Sequence, residues 1–76
     1  MYEVIGIEHR QYTNKQGRFV SGYNLYLTFS KINMDGVACL SEWCREDVVK
    51  DSGVAVGDKV ELFYNRFGKV ESIRIN

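Results

Sequence analysis

Residues 14–30 read NKQGRFVSGYNLYLTFS, and this stretch decides the fold. Its first four residues, Asn14 to Gly17, have the form Asn-x-x-Gly, which is typical of a type I turn. The asparagine side chain bonds the backbone two residues on, and glycine supplies the positive φ that a following bulge requires. Beyond the turn, apolar and other residues alternate with a period of two, as they do in a half-buried strand. The apolar face of this strand consists of Tyr23, Leu25, Leu27 and Phe29.

The same tetrapeptide recurs at Asn33–Gly36 and Asn65–Gly68. Each copy lies between runs of β-branched and aromatic residues, so each predicts a hairpin turn. In the first strand, Ile5 and Ile7 are predicted to share one face, with Tyr2 and Val4 on the other. The predicted strands cover about residues 2–12, 19–30, 37–43, 59–64 and 69–75.

One connection is too long for a hairpin turn. Residues 44–59 read CREDVVKDSGVAVGDK, and the first half favours a short helix with Val48 and Val49 facing inward and an end at Ser52 and Gly53. The resulting order, β-β-β-α-β-β, is that of the OB-fold, a five-stranded, partly open Greek-key barrel. The sequence therefore predicts an all-β class and one OB-type domain over residues 1–76. An SH3-like barrel is the alternative, and the position of the helix favours the OB-fold.

Two glycines, Gly6 and Gly22, fall inside predicted strands. A glycine within a strand often marks a bulge or a sharp bend. We therefore expect the long first and second strands to be bulged or strongly coiled at these positions, as barrel strands are.

Composition limits the classes of function. Ten Lys and Arg balance ten Asp and Glu, which excludes a strongly basic nucleic-acid binder and leaves only a locally basic surface. No stretch approaches the roughly 20 apolar residues that span a bilayer. The first ten residues, MYEVIGIEHR, lack the features of a secretory signal. We expect a cytoplasmic location and no membrane partner.

The sequence carries no recognisable catalytic motif. It has no phosphate-binding loop, no HExxH and no nucleophile elbow, and its single histidine, His9, lies between charged residues on a predicted strand. Cys39 and Cys44 are an odd number of positions apart, which sends their side chains to opposite faces of a strand and opposes a local disulfide. We expect no enzymatic activity, no cofactor and no metal site.

Two of the three turns are basic. Residues 14–18 read NKQGR and residues 65–69 read NRFGK, and together they hold four of the ten cationic residues and no acid. OB-folds bind oligonucleotides on the face of strands 2 and 3, between the loops that these two turns would form. Single-strand binders combine a cationic groove with aromatic rings on which bases stack. The candidate nucleic-acid-binding residues are Lys15, Arg18, Phe19, Tyr26, Arg66, Phe67 and Lys69.

Two stretches, NKQGRFVSGYNLY (residues 14–26) and VGDKVELFYNRFGKVESIRI (residues 56–75), resemble the filamentous-phage single-stranded-DNA-binding (helix-destabilising) proteins. The second also resembles small proteins of Gram-positive phages and conjugative elements that share a YNRFG-like hairpin. The resemblance implies an OB-fold homodimer that coats DNA during replication. It assigns backbone contacts to Lys15, Arg18 and Arg66, and base stacking to Tyr26 and Phe67. The acidic, helix-like middle of the chain departs from the phage family.

The sequence thus favours a protein that binds single-stranded nucleic acid, DNA or RNA, with little sequence preference. The alternative is a protein-interaction module or accessory subunit of a phage or mobile-element complex, which zero net charge and the acidic segment 42–51 favour. A homodimer is expected, because a small barrel with an open edge strand gains from pairing.

Overall fold

The computed structural model describes residues 1–76 and contains five strands and one helix. The strands form a single sheet in the order β3-β2-β1-β4-β5, and every neighbouring pair is antiparallel. The prediction of five strands, with one short helix between the third and fourth, is confirmed. The elements are β1 (Tyr2–Thr13), β2 (Phe19–Phe29), β3 (Ala38–Arg45), α1 (Glu46–Ser52), β4 (Lys59–Tyr64) and β5 (Val70–Ile75).

A β-bulge near the start of β1 changes which side chains face inward. The β1–β2 register shifts between Val4 and Gly6, so the period-two alternation is interrupted at Ile5. As a result Val4 is fully buried and Ile7 packs against the same core, whereas Ile5 is half exposed. The prediction that Ile5 and Ile7 share a face is wrong for this reason, and the bulge expected at Gly6 is present.

The core is small and lies between the curled sheet and α1. Leu25 and Leu27 of β2 have no accessible surface, which confirms the alternation predicted for this strand. Removing such side chains from water is the main term that holds a domain of this size together. The buried residues that surround these two leucines are Val4, Cys44, Val48, Val49, Val60 and Val70.

The β1–β2 and β4–β5 turns have the same structure. In each, the glycine N–H donates to the asparagine carbonyl at 3.0 Å, from Gly17 to Asn14 and from Gly68 to Asn65. The asparagine Oδ1 also accepts hydrogen bonds from the backbone N–H groups two and four residues on. The glycines have φ of 78° and 75°, a conformation that a side chain disfavours. Both turns match the prediction from the tetrapeptide.

The third tetrapeptide forms a different connection. Asn33 itself has a positive φ of 63°, Gly36 has a φ of 83°, and no hydrogen bond joins the two residues. Residues 30–37 therefore form a wide loop between β2 and β3, so the predicted tight hairpin turn is wrong here. The tetrapeptide favours the compact turn only where strand pairing continues up to it.

Helix α1 follows its prediction closely. Val48 and Val49 are buried, and the helix ends at Gly53, whose φ of 69° is left-handed and whose N–H donates to the Val49 carbonyl. A left-handed glycine of this kind satisfies a carbonyl that the last turn would otherwise leave unpaired. The helix packs against β2, β3 and β5. No helix in the protein has the length and apolar character needed to cross a membrane.

The sheet is curled but not closed by hydrogen bonds. Strands β3 and β5 approach each other, yet no backbone ladder joins them. Strand β1 pairs with β4 only at Tyr2 and Glu3, so residues 6–13 pair with β2 alone. The β1–β2 hairpin from residue 7 to residue 25 is called the arm below. Its inner part also pairs with β3, from Gly22 to Leu25, whereas its outer part, residues 11–21, is a two-stranded ribbon. The molecule measures 45 × 25 × 23 Å.

Candidate nucleic-acid interface

Three aromatic side chains share the outer face, defined as the side of β1, β2 and β3 that faces away from the core. Beyond the bulge, the residues that face outward on β1 and β2 are the even-numbered ones, because Leu25 and Leu27 face inward. On β3 the outward residues are odd-numbered, because Cys44 is buried. The outward aromatic residues are Tyr12, Tyr26 and Trp43.

The indole ring of Trp43 lies against a glycine of the neighbouring strand. A Cβ atom built on Gly22 would be only 2.5 Å from the indole ring, so only glycine leaves room for it. The indole reaches Tyr12, with the ring centroids 6.0 Å apart in an edge-to-face arrangement. Gly22 pairs regularly with both β1 and β3, so of the two alternatives predicted at this position, a bulge or strong coiling, the bulge is wrong. Its role is to let Trp43 approach the backbone.

The β4–β5 turn lies beside this tryptophan. β4 is antiparallel to β1 and begins next to Glu3, so in a flat sheet its turn would point away from the β1–β2 turn. The curl of the sheet instead brings Asn65 and Lys69 against the end of β3. There they line, with Trp43 and Arg45, a depression of about 260 Å³. Trp43 therefore lies beside Tyr12, close to the β1–β2 turn, and shares the depression with residues of the β4–β5 turn.

The β1–β2 turn lies further along the arm. Arg18 is four residues beyond Gly22, which at the usual rise of a strand is about 13 Å. Lys15 and Arg18 are both exposed at the end of the arm. Moving outward from the depression, the surface thus presents Lys69, the Trp43–Tyr12 pair and then the cations of the β1–β2 turn.

Uncompensated positive charge is concentrated at the two turns. Four cationic residues have a carboxylate within 4.0 Å, namely Arg10, Arg45, Lys50 and Arg74. The cationic residues without such a partner are Lys15, Arg18, Lys31, Lys59, Arg66 and Lys69. Four of these six lie in the turns that the sequence singled out. A protein of zero net charge can therefore still present a positive surface at these ends.

Tyr26 lies on the same face, nearer the bulge. Its ring covers Gly6, and its hydroxyl donates a 2.8 Å hydrogen bond to Glu8. Hydrogen bonds from Tyr26 and then Asn24 hold the pKa of Glu8 below its usual value, and the bond to Glu8 raises the pKa of Tyr26. The residue as a whole remains 40% exposed. Tyr26 is thus fixed in orientation while one ring surface stays open to a ligand.

Phe67 and Phe19 are both exposed but lie in different settings. Phe67 is 72% exposed at the tip of the β4–β5 turn, with the Arg66 guanidinium 4.9 Å from its ring centroid, so it is not part of the core. Phe19 is 67% exposed, and as an odd-numbered residue it faces the side of the arm opposite Tyr12 and Tyr26. The outer face therefore includes Tyr26 of the predicted residues but not Phe19.

A polar cluster fastens the other side of the arm to α1. His9 Nε2 lies 3.0 Å from the Ser21 hydroxyl, which donates to Glu46 at the start of the helix. Lys50 donates to the same carboxylate at 2.6 Å, and these bonds from Lys50 and Ser21 lower the pKa of Glu46. His9 also stacks on Tyr23, with centroids 4.8 Å apart. The single histidine thus helps to position the arm.

Acid is expected to loosen this arrangement. The pKa values of Glu8, Glu46 and Glu61 are lowered from 4.5 in the folded protein, so their stabilising effect is complete above about pH 4.5. This stabilisation is lost as the pH falls through the lowered pKa values of the three carboxylates in the folded protein, because protonation removes the charge that accepts the hydrogen bonds. Thermal unfolding followed by circular dichroism should show a melting temperature that falls below pH 4.5. The Glu46→Gln variant should show a shallower fall, and identical slopes would contradict this account.

The sequence did not indicate that Trp43 lies beside Tyr12, or that Arg45 lines the depression. The available signal was Gly22, because a glycine within a strand marks close approach of another group as well as a bulge. The cysteines agree with expectation, since Cys44 is buried, Cys39 is exposed and both are free.

Comparison of the chain with models of protein families, with curated proteins and with solved structures gives no match. The placement of side chains on the outer face is therefore the observation from which a function can be inferred.

Proposed function

We propose that this protein is an OB-type domain that binds single-stranded nucleic acid, DNA in the first instance, with little sequence preference. The element order and the sheet order support the OB assignment, because joining β3 to β5 would complete a five-stranded barrel. Helix α1 lies between β3 and β4 in the chain and packs against β5, as a helix covering one end of such a barrel would. The β3–β5 gap makes it an open barrel.

The position of Trp43 is the main observation that supports nucleic-acid binding. It contacts Tyr12 of the arm, and it lines the depression that also contains Lys69. A large aromatic ring between two groups of unpaired cations is the arrangement that single-strand binders use, with bases on the rings and phosphates on the cations.

A single strand would follow the outer face from the β4–β5 turn to the end of the arm. Phosphates would meet Arg66 and Lys69 first, and Lys15 and Arg18 last. Bases between them would stack on Trp43, and base–aromatic stacking is worth about 1–3 kcal/mol for each base. Every base has an aromatic surface, so this mode of binding predicts little sequence preference. A duplex keeps its bases stacked inside and should bind more weakly.

Titration with oligo-dT at low salt tests the proposal. Quenching of Trp43 fluorescence is expected, together with a slope of log affinity against log salt near −3, since each of four phosphate contacts contributes about −0.7. Duplex DNA of the same length is the matched control and should bind more weakly, while oligo-U distinguishes DNA from RNA. Unchanged fluorescence with oligo-dT, together with an unchanged mobility in a gel shift, would contradict the proposal.

The resemblance to phage DNA-binding proteins supports DNA as the ligand, and with it a cytoplasmic role in phage or mobile-element replication. That assignment rests on the two similar stretches quoted above, whereas the binding mode rests on the outer face.

A second candidate function is recognition of a protein partner. A depression of about 210 Å³ between α1 and β5 is lined by Asp47, Asp51 and Glu71, with Arg45 as its only cation. Such an acidic surface would fit a basic segment of another protein. A complex that survives nuclease treatment and is lost in Asp47→Asn with Asp51→Asn would favour this function, whereas loss on nuclease treatment would favour nucleic-acid binding.

A further inference from the structure

One edge of the arm is unpaired along β1. Asn14 N–H donates to the Arg18 carbonyl at 2.9 Å, which fixes the hydrogen-bonding phase of the hairpin. In an antiparallel pair, every second residue along a strand forms hydrogen bonds with the partner strand. Since Asn14 is one of these residues, the other even-numbered residues of β1 also form hydrogen bonds with β2. The N–H and C=O groups of the odd-numbered residues therefore point to the opposite edge. These residues are Ile7, His9, Gln11 and Thr13.

No other element covers this edge. The pairing of β1 with β4 ends at Glu3, and the connection before β4 bonds only as far as Val4, through Gly57 N–H and the Asp58 carbonyl. Helix α1 packs against β2, β3 and β5, and it reaches β1 only through the Glu46 side chain, 3.8 Å from His9 Nε2, which leaves the backbone groups of this edge uncovered. A row of unpaired backbone groups is a template for another strand.

We propose that a second copy of this chain pairs with this edge, β1 against β1, antiparallel about a two-fold axis at His9. Charge selects this register from its neighbours. With His9 opposite itself, Glu8 lies opposite the partner subunit's Arg10, and Arg10 lies opposite the partner subunit's Glu8. Moving the axis by one residue would put Glu8 against Glu8, or Arg10 against Arg10.

The geometry strengthens this selection. Positions 8 and 10 form non-hydrogen-bonded pairs in the proposed register, and in such pairs the side chains of opposite strands come closest. The contact is isologous, since each subunit contributes the same segment and the same two charges. The result is a continuous six-stranded sheet with the order β3-β2-β1-β1-β2-β3.

This interface extends the outer face. Tyr12, Tyr26 and Trp43 of both copies would lie on the same side of one sheet, because pairing across an edge preserves the direction of alternate side chains. This consequence rests on the proposed function, whereas the pairing itself does not. A dimer would then offer two aromatic sites in succession to one strand of nucleic acid. Binding at the first site raises the effective concentration of the nucleic acid at the second, which raises the overall affinity.

A charge exchange followed by sedimentation equilibrium, without nucleic acid, tests the interface. The wild-type protein should have twice the 8.8 kDa mass of one chain. Glu8→Arg alone and Arg10→Glu alone each place like charges opposite one another, so each should weaken the dimer roughly 30-fold. The double variant Glu8→Arg with Arg10→Glu should restore it. Mixing the two single variants should give a heterodimer, since each then supplies the charge that the other lacks.

Arg74→Glu is the matched control, because it breaks an ion pair with Glu61 that lies away from the arm, and it should leave the mass unchanged. Thermal unfolding of each variant separates loss of pairing from loss of folding. The proposal would be overturned if the wild-type protein were a monomer at millimolar concentration, or if both single variants still formed the dimer. It would also be overturned if the chain associated only with other proteins and not with a second copy of itself. Because no nucleic acid is present, none of these outcomes bears on the binding titration.

Discussion

Replacing Gly22 with alanine is expected to destabilise the protein by about 2–3 kcal/mol, which is the upper part of the range for overpacking a well-packed site. A methyl group at this position would lie 2.5 Å from the Trp43 ring and 2.7 Å from the Cys44 carbonyl oxygen. The ring could rotate away, but the carbonyl belongs to the β2–β3 ladder and cannot move without breaking strand pairing. Part of the cost is therefore unavoidable.

The melting temperature should fall by about 10–20 °C, given about 4–8 °C for each kcal/mol in a domain of this size. Tryptophan emission should shift to the red as the indole leaves the glycine. Gly6→Ala is the matched control, since its methyl group would lie 3.4 Å from the flexible Tyr26 side chain and no closer than that to backbone. Equal losses at the two glycines would contradict the assignment of Gly22 as the support of Trp43.

The Trp43→Ala background separates the two contacts of Gly22. Without the indole, Gly22→Ala should cost less than in the wild-type protein, because the 2.5 Å contact has gone. It should still cost something, because the 2.7 Å contact with the Cys44 carbonyl remains. The difference between the two costs measures the coupling between glycine and ring.

Local signals were sufficient for most of the fold. Alternation placed Leu25 and Leu27 in the core, and the tetrapeptides at Asn14 and Asn65 gave two turns whose hydrogen bonds are all local. Gly53 ended the helix for an equally local reason. Where structure depends on neighbours within about five residues, periodicity and turn chemistry are reliable guides.

Predictions that depended on distant residues were less successful. The side of the sheet that Ile5 faces is decided by a bulge, which arises where β1 leaves β4 and continues with β2 alone. The loop at Asn33 follows from where β2 and β3 stop pairing. Gly6 indicated an irregularity in β1, but it did not indicate that the shift would turn Ile5 outward, and no residue near Asn33 indicated where β2 and β3 stop pairing, because long-range packing sets register.

The candidate interface shows the same division. Lys15, Arg18, Arg66 and Lys69 could be found because charge at a turn is a local property, and these residues are free of ion pairs. Trp43 could not, because its importance comes from a glycine 21 positions earlier and a turn more than 20 positions later. The alternation of β2 already puts the odd-numbered Phe19 on the same side as Leu25 and Leu27, so its assignment to the outer face was an error that the sequence could have corrected.

Trp43→Ala is expected to weaken binding of single-stranded DNA about 5- to 150-fold, which corresponds to the loss of one stacked base at about 1–3 kcal/mol. Stacking involves no phosphate, so the dependence of affinity on salt should stay the same. Lys69→Ala should have the opposite signature. Its affinity should fall mainly at low salt, and the slope should become shallower by about 0.7, because one phosphate contact has been lost.

Measuring affinity by fluorescence anisotropy of a labelled oligo-dT at several salt concentrations distinguishes these effects, since the readout does not require tryptophan. Trp43→Phe is the control for folding, because it keeps an aromatic surface over Gly22 and should lose less affinity than alanine. If Trp43→Ala binds as the wild-type protein does while remaining folded, the indole serves only to cover Gly22. The cations at the two turns would then lack the aromatic platform that makes them a single-strand site rather than ordinary surface charge.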